Sequence, residues 1–471
     1  MNERQVSAMN VIIIGAGKLG IKLAKLLVEE DIDVTVVDKD AQVLSNLNEH
    51  LDCLTAIGNG IDIKILKELG IAEYDLLVAS TESDEANALI CSLAKKLGCA
   101  KTIARIRNPE YMQQLDFIKA QMGIDLIINP DLATAMVIER YLLKSYGFYS
   151  DYFASGKVEM MDFNIHSNDD FVGKDIKDLK GFDDLLITAI SRKGELIIPN
   201  GSTKLMRDDI IYIIGNCNEI RKISDSFGDG HRQKAVERVV ILGGGNIGYY
   251  LADRLSKEGV LVTIIEKSNA VCKNLTEKLD NVLVIHGDGT DIHLLEEESL
   301  DEMDAFVGAT GFDEENLLMA LMAKQLGVGR AIAKISKANY EKIIDRLDID
   351  VAINPVYITA SDILKIVRGG KVISVSLLLG ADAEVTEMVI EEDFPFMGEP
   401  LSSMRLPEGI IIGAIVRGED VIIPKGDSII VEGDRIVVFS LTEDLPSLKV
   451  FFQGKKGGIL GELWNRVKGT R

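Results

Sequence analysis

Tryptophan occurs once in the 471 residues, histidine and cysteine five times each, and proline nine times. Each scarcity excludes something. Cys53, Cys91, Cys99, Cys217 and Cys272 are odd in number, scattered and without C-x-x-C spacing, so reduced core thiols are expected rather than a disulfide framework. The chain has no H-E-x-x-H motif and no G-x-S-x-G turn. No apolar run reaches the roughly eighteen residues that span a bilayer, and the opening Met1-Asn2-Glu3-Arg4-Gln5 has no signal-peptide core. A cytoplasmic protein is expected, with any membrane association made through a partner or its surface. Basic residues are also in the minority. Fifty-two against 74 acidic residues leave a formal charge of −22, which repels phosphate polymers and argues against nucleic acid as a partner.

What is present begins at Val11. Four apolar residues, Val11 to Ile14, precede Gly15-Ala16-Gly17-Lys18-Leu19-Gly20, and helical periodicity follows from Lys22 to Leu27. The order suits a nucleotide. The first glycine allows the tight turn, the second lets backbone approach a pyrophosphate, and the third brings helix and strand together. A second strand, Val34 to Val37, delivers Asp38 eighteen residues after Gly20. That carboxylate can accept hydrogen bonds from ribose hydroxyls and would repel a 2′-phosphate, so NAD(H) or ATP/ADP is expected rather than NADP(H).

Strands are expected at 11–14, 33–37, 51–56, 74–79, 101–105 and 125–128, with helices between, and a helix from Ala133 to Tyr146 after Asn129-Pro130. From about Phe148 to Phe227 the pattern turns β-rich, with strands at Val158–Ile165, Leu185–Arg192, Glu195–Ile198 and Ile210–Ile214. Ser226 to Lys234 reads as a linker. At Val239 the pattern restarts. Gly243-Gly244-Gly245-Asn246-Ile247-Gly248 repeats the fingerprint 228 residues on, with Glu266 again eighteen residues beyond the third glycine. Gly58-Asn59-Gly60 returns as Gly287-Asp288-Gly289, Thr81 to Asn87 as Thr310 to Asn316, Asn129-Pro130 as Asn354-Pro355, and Arg192 with Asp209 as Arg417 with Asp434. The fold expected is α/β: two doubly wound Rossmann-like parallel-sheet domains, each followed by a small α+β domain, at 1–147, 148–232, 233–370 and 371–471.

Ligands in such sheets lie beyond the carboxyl ends of the strands. The first pocket should therefore be lined by Gly15 to Gly20, Asp38 and Lys39, Asn59, and Thr81 to Asn87, and the second by Gly243 to Gly248, Glu266, Asp288 and Thr310. Asp84 and Asn87 could equally cap the following helix. Arg105 and Arg107, at the end of the fifth strand, could grip a phosphate or form surface salt bridges; Lys334 and Lys337 stand there in the second copy. His286 to His293 mixes imidazoles and carboxylates, but the first copy has Ile57, Asn59, Asp62 and Lys64 instead, so no metal is expected. No acid/base pair repeats, so no catalytic residues are assigned. The basic tail from Gly454 has apolar residues at helical spacing and could dock on a partner or a membrane, although packing on its own domain is the plainer reading.

This duplicated order, from about Asn10 to about Phe452, resembles the peripheral-subunit family of the Trk potassium uptake system, built of RCK domains. The resemblance implies a regulator, not an enzyme: Rossmann units that bind NAD(H) or ATP/ADP, a homo-oligomeric ring (a tetramer or dimer ring), and a membrane-embedded potassium transporter subunit as partner. Carried residue by residue, nucleotide contacts fall on Gly15, Gly17, Lys18, Leu19, Gly20, Asp38 and Arg105, and on Gly243, Gly245, Asn246, Ile247, Gly248, Glu266 and Lys334. Asn59 stands where the family has aspartate, and Lys334 where it has arginine. An NAD-dependent oxidoreductase and a sensor of another cation channel or antiporter are the competing readings.

Overall fold

The computed structural model describes residues 9–143, 150–165, 171–182, 184–193, 195–227, 236–337, 340, 347, 349–369, 371–378 and 382–452. The tail from 453 and the linker from 228 to 234 lie outside them. Ser226 and Phe227 close a helix rather than open the linker.

The first half runs β1 (Asn10–Ile14), α1 (Lys18–Val28), β2 (Asp33–Asp38), α2 (Ala41–Asn48), β3 (Leu54–Ile57), α3 (Ile63–Glu68), β4 (Leu76–Ala79), α4 (Asp84–Lys96), β5 (Lys101–Arg105), α5 (Leu115–Met122), β6 (Leu126–Ile128) and α6 (Pro130–Leu143). Its sheet has order β3-β2-β1-β4-β5-β6, parallel throughout. Val11 to Ile14 are buried because both sheet faces are covered, which explains their uninterrupted apolar run. β3 starts at Leu54 and not at 51, since the His50 and Leu51 amides still donate to the Leu47 carbonyl. The crossover helix begins at Pro130, earlier than Ala133, because the Asn129 side chain accepts from the Asp131 and Leu132 amides and opens the helix there.

The small β-rich segment contains β7 (Ser150–Phe153), β8 (Val158–Asn164), β9 (Leu185–Arg192), β10 (Glu195–Ile197), β11 (Ile210–Asn216) and α7 (Cys217–Phe227). The cycle then repeats: β12 (Arg238–Leu242), α8 (Asn246–Lys257), β13 (Leu261–Glu266), α9 (Asn269–Lys278), β14 (Val282–His286), α10 (Ile292–Glu297), β15 (Ala305–Gly308), α11 (Asp313–Gln325), β16 (Arg330–Lys334), β17 (Val351–Ile353) and α12 (Pro355–Arg368). Last come β18 (Val372–Leu378), β19 (Ala383–Val389), β20 (Ile410–Arg417), β21 (Asp420–Ile422), β22 (Arg435–Leu441) and α13 (Leu445–Phe452). The second large sheet, β14-β13-β12-β15-β16-β17, copies the first in order.

The contacts divide the chain into two compact units, one holding both parallel sheets and the other both small sheets. Within the second unit a single apolar core draws Phe153, Val158, Met160, Tyr212 and Ile214 together with Val385, Ala414, Val437 and Phe439. Each small sheet also carries a two-pronged ion pair at the equivalent place, Arg192 with buried Asp209 at 2.8 and 2.8 Å, and Arg417 with buried Asp434 at 2.9 and 2.8 Å; the second sheet has a further one, Arg368 with buried Glu384 on β19. Each aspartate additionally accepts an amide, from Met206 or Val431, and so closes its own turn.

Candidate functional site

Both glycine turns are built alike. Gly15 and Gly243 adopt φ of +109° and +105°, where an added Cβ would come within 3.0 Å of the backbone at Ser80–Thr81 and Ala309–Thr310 respectively. A Cβ on Gly20 would lie 1.9 Å from the Gly15 carbonyl oxygen, and one on Gly248 2.1 Å from that of Gly243. Gly17 and Gly245 are different: an added Cβ meets nothing within 4 Å. They precede α1 and α8, whose first amides have no partners within the helix and open onto that space. Leu19 and Ile247 bury their side chains, so only their backbone can face a ligand, whereas Lys18 is exposed and Asn246 half-buried.

The acids close the turns. Asp38 accepts from the Ala16 amide at 2.6 Å and the Asp40 amide at 3.0 Å; Glu266 accepts from Gly244 at 2.8 Å and Ser268 at 2.7 Å. The longer side chain of Glu266 therefore reproduces the aspartate's contacts. Lys39 and Asn59 are exposed beside this edge. In the second copy Lys267 donates to Asp288 at 2.7 Å. Those donors and the Thr290 hydrogen bonds lower the Asp288 carboxyl to about 2.

The loops after the fourth strands depart from expectation. Ser83 caps α4, accepting from the Ala86 amide. Asp84 instead accepts from the Arg107 and Asn108 amides, both at 2.8 Å, and Asn87 ties Thr81 to the Arg105 carbonyl. Their counterparts do the same, Asp313 accepting from the Ser336 amide at 2.9 Å, and Asn316 holding the Thr310 amide at 2.9 Å and the Lys334 carbonyl at 2.9 Å. These residues thus pin the ends of the fourth and fifth strands, and neither Asp84 nor Asn87 is the cap of α4, the alternative to ligand contact that the sequence offered. The signal in sequence was their repetition in both copies.

Arg105 and Lys334 point into the same place. Arg105 Nη2 donates to the Thr81 carbonyl at 2.5 Å, and Lys334 Nζ donates to the Thr310 carbonyl at 2.8 Å. Burial, with repulsion from Arg107, lowers the Arg105 guanidinium to about 10, while Asp131, Asp84 and Glu82 oppose the drop. Burial likewise lowers Lys334. Arg105 Nε is buried without a hydrogen-bond partner. Arg107 donates to the Glu82 carbonyl at 2.9 Å, and its Nε lies 3.8 Å from Asp84 Oδ1 as an ion pair.

Sequence reasoning missed the contacts between the two Rossmann copies. Asn246 Nδ2 donates to Asp131 at 3.0 Å, Arg254 pairs with Glu139 at 2.5 Å, and the Tyr250 hydroxyl donates to the Arg107 carbonyl at 2.8 Å while lying 3.0 Å from Asn129 Nδ2. Lys22 stacks over the Tyr357 ring at 4.6 Å. Around His286 to His293, Asp288 is engaged by Lys267 and Thr290, and Asp291 caps α10. Among the described residues no group of three or more His, Cys, Asp or Glu side chains could hold a metal ion, and no helix is long and apolar enough to cross a membrane.

Comparison with known proteins adds to this geometry. The TrkA-N domain matches residues 11–130 and 239–355, and the TrkA-C domain matches 160–228 and 385–453. The chain is 36% identical over 455 residues to Trk system potassium uptake protein TrkA homolog 1 of Methanosarcina mazei, covering 94% of this chain and 100% of that one. It is 35% identical over 456 residues to the Trk system potassium uptake protein TrkA of Haemophilus influenzae, covering 94% and 99%. Among solved structures it is similar to the GsuK RCK domain (TM-score 0.59, 18% identity, 95% of this chain and 96% of that one) and to the GsuK channel bound to NAD (TM-score 0.57, 19% identity, 95% and 80%).

Proposed function

The chain belongs to the TrkA family of Trk system potassium uptake proteins, with its TrkA-N and TrkA-C domains each present twice, and from that premise we propose that it is a nucleotide-sensing regulatory subunit of a membrane potassium transporter. One observation carries the reading. In both copies the acid that ends the second strand is hydrogen-bonded to the glycine turn, in front of helix amides that open onto unfilled space. Such a frame receives a ribose at the acid and a pyrophosphate at the helix, which suits NAD(H), ATP or ADP. That a GsuK channel of the same fold was solved with NAD is consistent with this.

In this reading residues 1–147 and 233–370 are the sensing domains, and 148–232 and 371–471 their small partners. Gly15, Gly17, Lys18, Leu19, Gly20, Asp38, Lys39, Asn59, Thr81 and Arg105 form the first pocket; Gly243, Gly245, Asn246, Ile247, Gly248, Glu266, Asp288, Thr310 and Lys334 form the second. The protein acts from the cytoplasmic face as a homo-oligomeric ring bound to the pore subunit, and it catalyses no reaction. A ligand can shift such a ring only through unequal affinity for its two arrangements. Arg105 supplies that inequality: released from the Thr81 carbonyl, it reaches a phosphate that one nucleotide has and another lacks.

A thermal-shift screen with NAD+, NADH, ATP, ADP and NADPH tests the binding step. Unfolding should move upward with NAD(H) or ATP/ADP and stay put with NADPH. A preference for NADPH, or steady consumption of NADH in the presence of a carbonyl substrate, would overturn the proposal.

A further inference from the structure

The two pockets differ where a purine base would lie. From the glycine turn the sheet order runs β1, β2, β3, and β12, β13, β14 in the second copy. A nucleotide with its phosphates at the helix and its ribose at the acid therefore extends its base toward the loop after β3 or β14. Asn59 and Asp288 are the middle residues of those loops. Each uses one oxygen on its own turn: Asn59 Oδ1 accepts from the Ile61 amide at 3.3 Å, and Asp288 Oδ1 accepts from the Thr290 amide at 3.1 Å and hydroxyl at 2.7 Å. What remains is opposite in character. Asn59 keeps an amide that donates; Asp288 keeps Oδ2, which only accepts.

The direction in which Oδ2 points is visible in its partner. Lys267, the residue after Glu266, donates to it at 2.7 Å, so Oδ2 faces the loop after β13, across the strip beyond the ribose. With Lys267 79% and Asp288 44% exposed, this bridge holds weakly and yields readily to a ligand. Lys39 occupies the corresponding place in the first copy, opposite an uncharged side chain.

We propose that Asn59 and Asp288 are base-specificity residues, the second pocket requiring a purine with a 6-amino group and the first also accepting a 6-oxo purine. This rests on the reading of both turns as nucleotide sites. Adenine carries an amine at C6, which a carboxylate accepts; hypoxanthine carries a carbonyl there, which a carboxylate repels and an amide N–H satisfies. An acceptor left facing an acceptor rejects the analogue more strongly than a loss of contact alone would. Lys267, which donates to Asp288 Oδ2, is a donor that could soften this rejection.

The test is calorimetry on the full chain with NAD+ and with its hypoxanthine analogue, deamino-NAD+, which replaces the 6-amino donor by a carbonyl acceptor and carries a proton on N1; Asp288 discriminates between them where it meets the C6 substituent rather than N1. Wild type should bind NAD+ at two sites and deamino-NAD+ well at only one, the other being weakened about tenfold or more. Asp288→Asn should restore strong binding of deamino-NAD+ at both sites, Asn59→Asp should weaken it at both, and Lys267→Met should widen the gap at the second. All three positions lie outside the core, and thermal unfolding of each variant verifies that it folds. The same affinity ratio in wild type, Asn59→Asp and Asp288→Asn would overturn the assignment. Absence of binding by NAD+ and ATP alike would instead overturn the nucleotide reading on which it stands.

Discussion

Asp38 holds the Ala16 and Asp40 amides with its two oxygens, and in the proposed nucleotide site its remaining lone pairs would take a ribose. Asp38→Ala removes both tasks, and the first pocket of the full chain should bind NAD(H) or ATP about tenfold or more weakly by calorimetry; unchanged affinity would contradict the role. Asn87 is a different kind of residue. It is wholly buried and satisfies the Thr81 amide and the Arg105 carbonyl at once, so Asn87→Ala strands two backbone groups at about 1–3 kcal/mol each. Chemical denaturation should show that loss. The acid and the glycines were legible because nucleotide chemistry fixes their spacing along the chain. Asp84 and Asn87 were not, since their partners lie 18 to 24 residues away and only the packed sheet reveals them.

At the scale of elements, buried parallel strands announce themselves as unbroken apolar runs, and the expected strands of the first sheet fall on the observed ones with their ends moved by at most three residues. β7 and α7 were invisible for physical reasons. β7 is a four-residue strand at the edge of its sheet, and α7 has few apolar residues, Ile220 and Ile223 among them, in a mostly polar sequence. The small sheets depend on the Arg192–Asp209 and Arg417–Asp434 pairs, whose repetition was readable but whose purpose was not. Asp209→Ala leaves a cation and the Met206 amide without their acceptor. Because Arg192 still reaches water, the cost should be about 2–3 kcal/mol, below the usual range for a fully buried pair. A urea unfolding midpoint unchanged from wild type would contradict that accounting.

Across the whole molecule, duplication was plain in the sequence and asymmetry was not. Equivalent positions do unequal work: Tyr250 hydrogen-bonds to Arg107, while Lys22, its counterpart, stacks on Tyr357; Asn246 meets Asp131, while Lys18 faces a copy with Val356 there. Such differences follow from one copy packing on the other, which no single-copy motif encodes. They also suit the proposed regulator, in which two unlike pockets would bias one output. The central claim concerns that output, and potassium flux measures it most directly. With the pore subunit reconstituted in vesicles, adding this protein should make flux respond to NAD(H) or ATP/ADP, and the double variant Asp38→Ala, Glu266→Ala should abolish the response while leaving the basal flux in place. Flux that ignores nucleotide in the presence of the wild-type chain, or that responds identically with the double variant, would contradict the account.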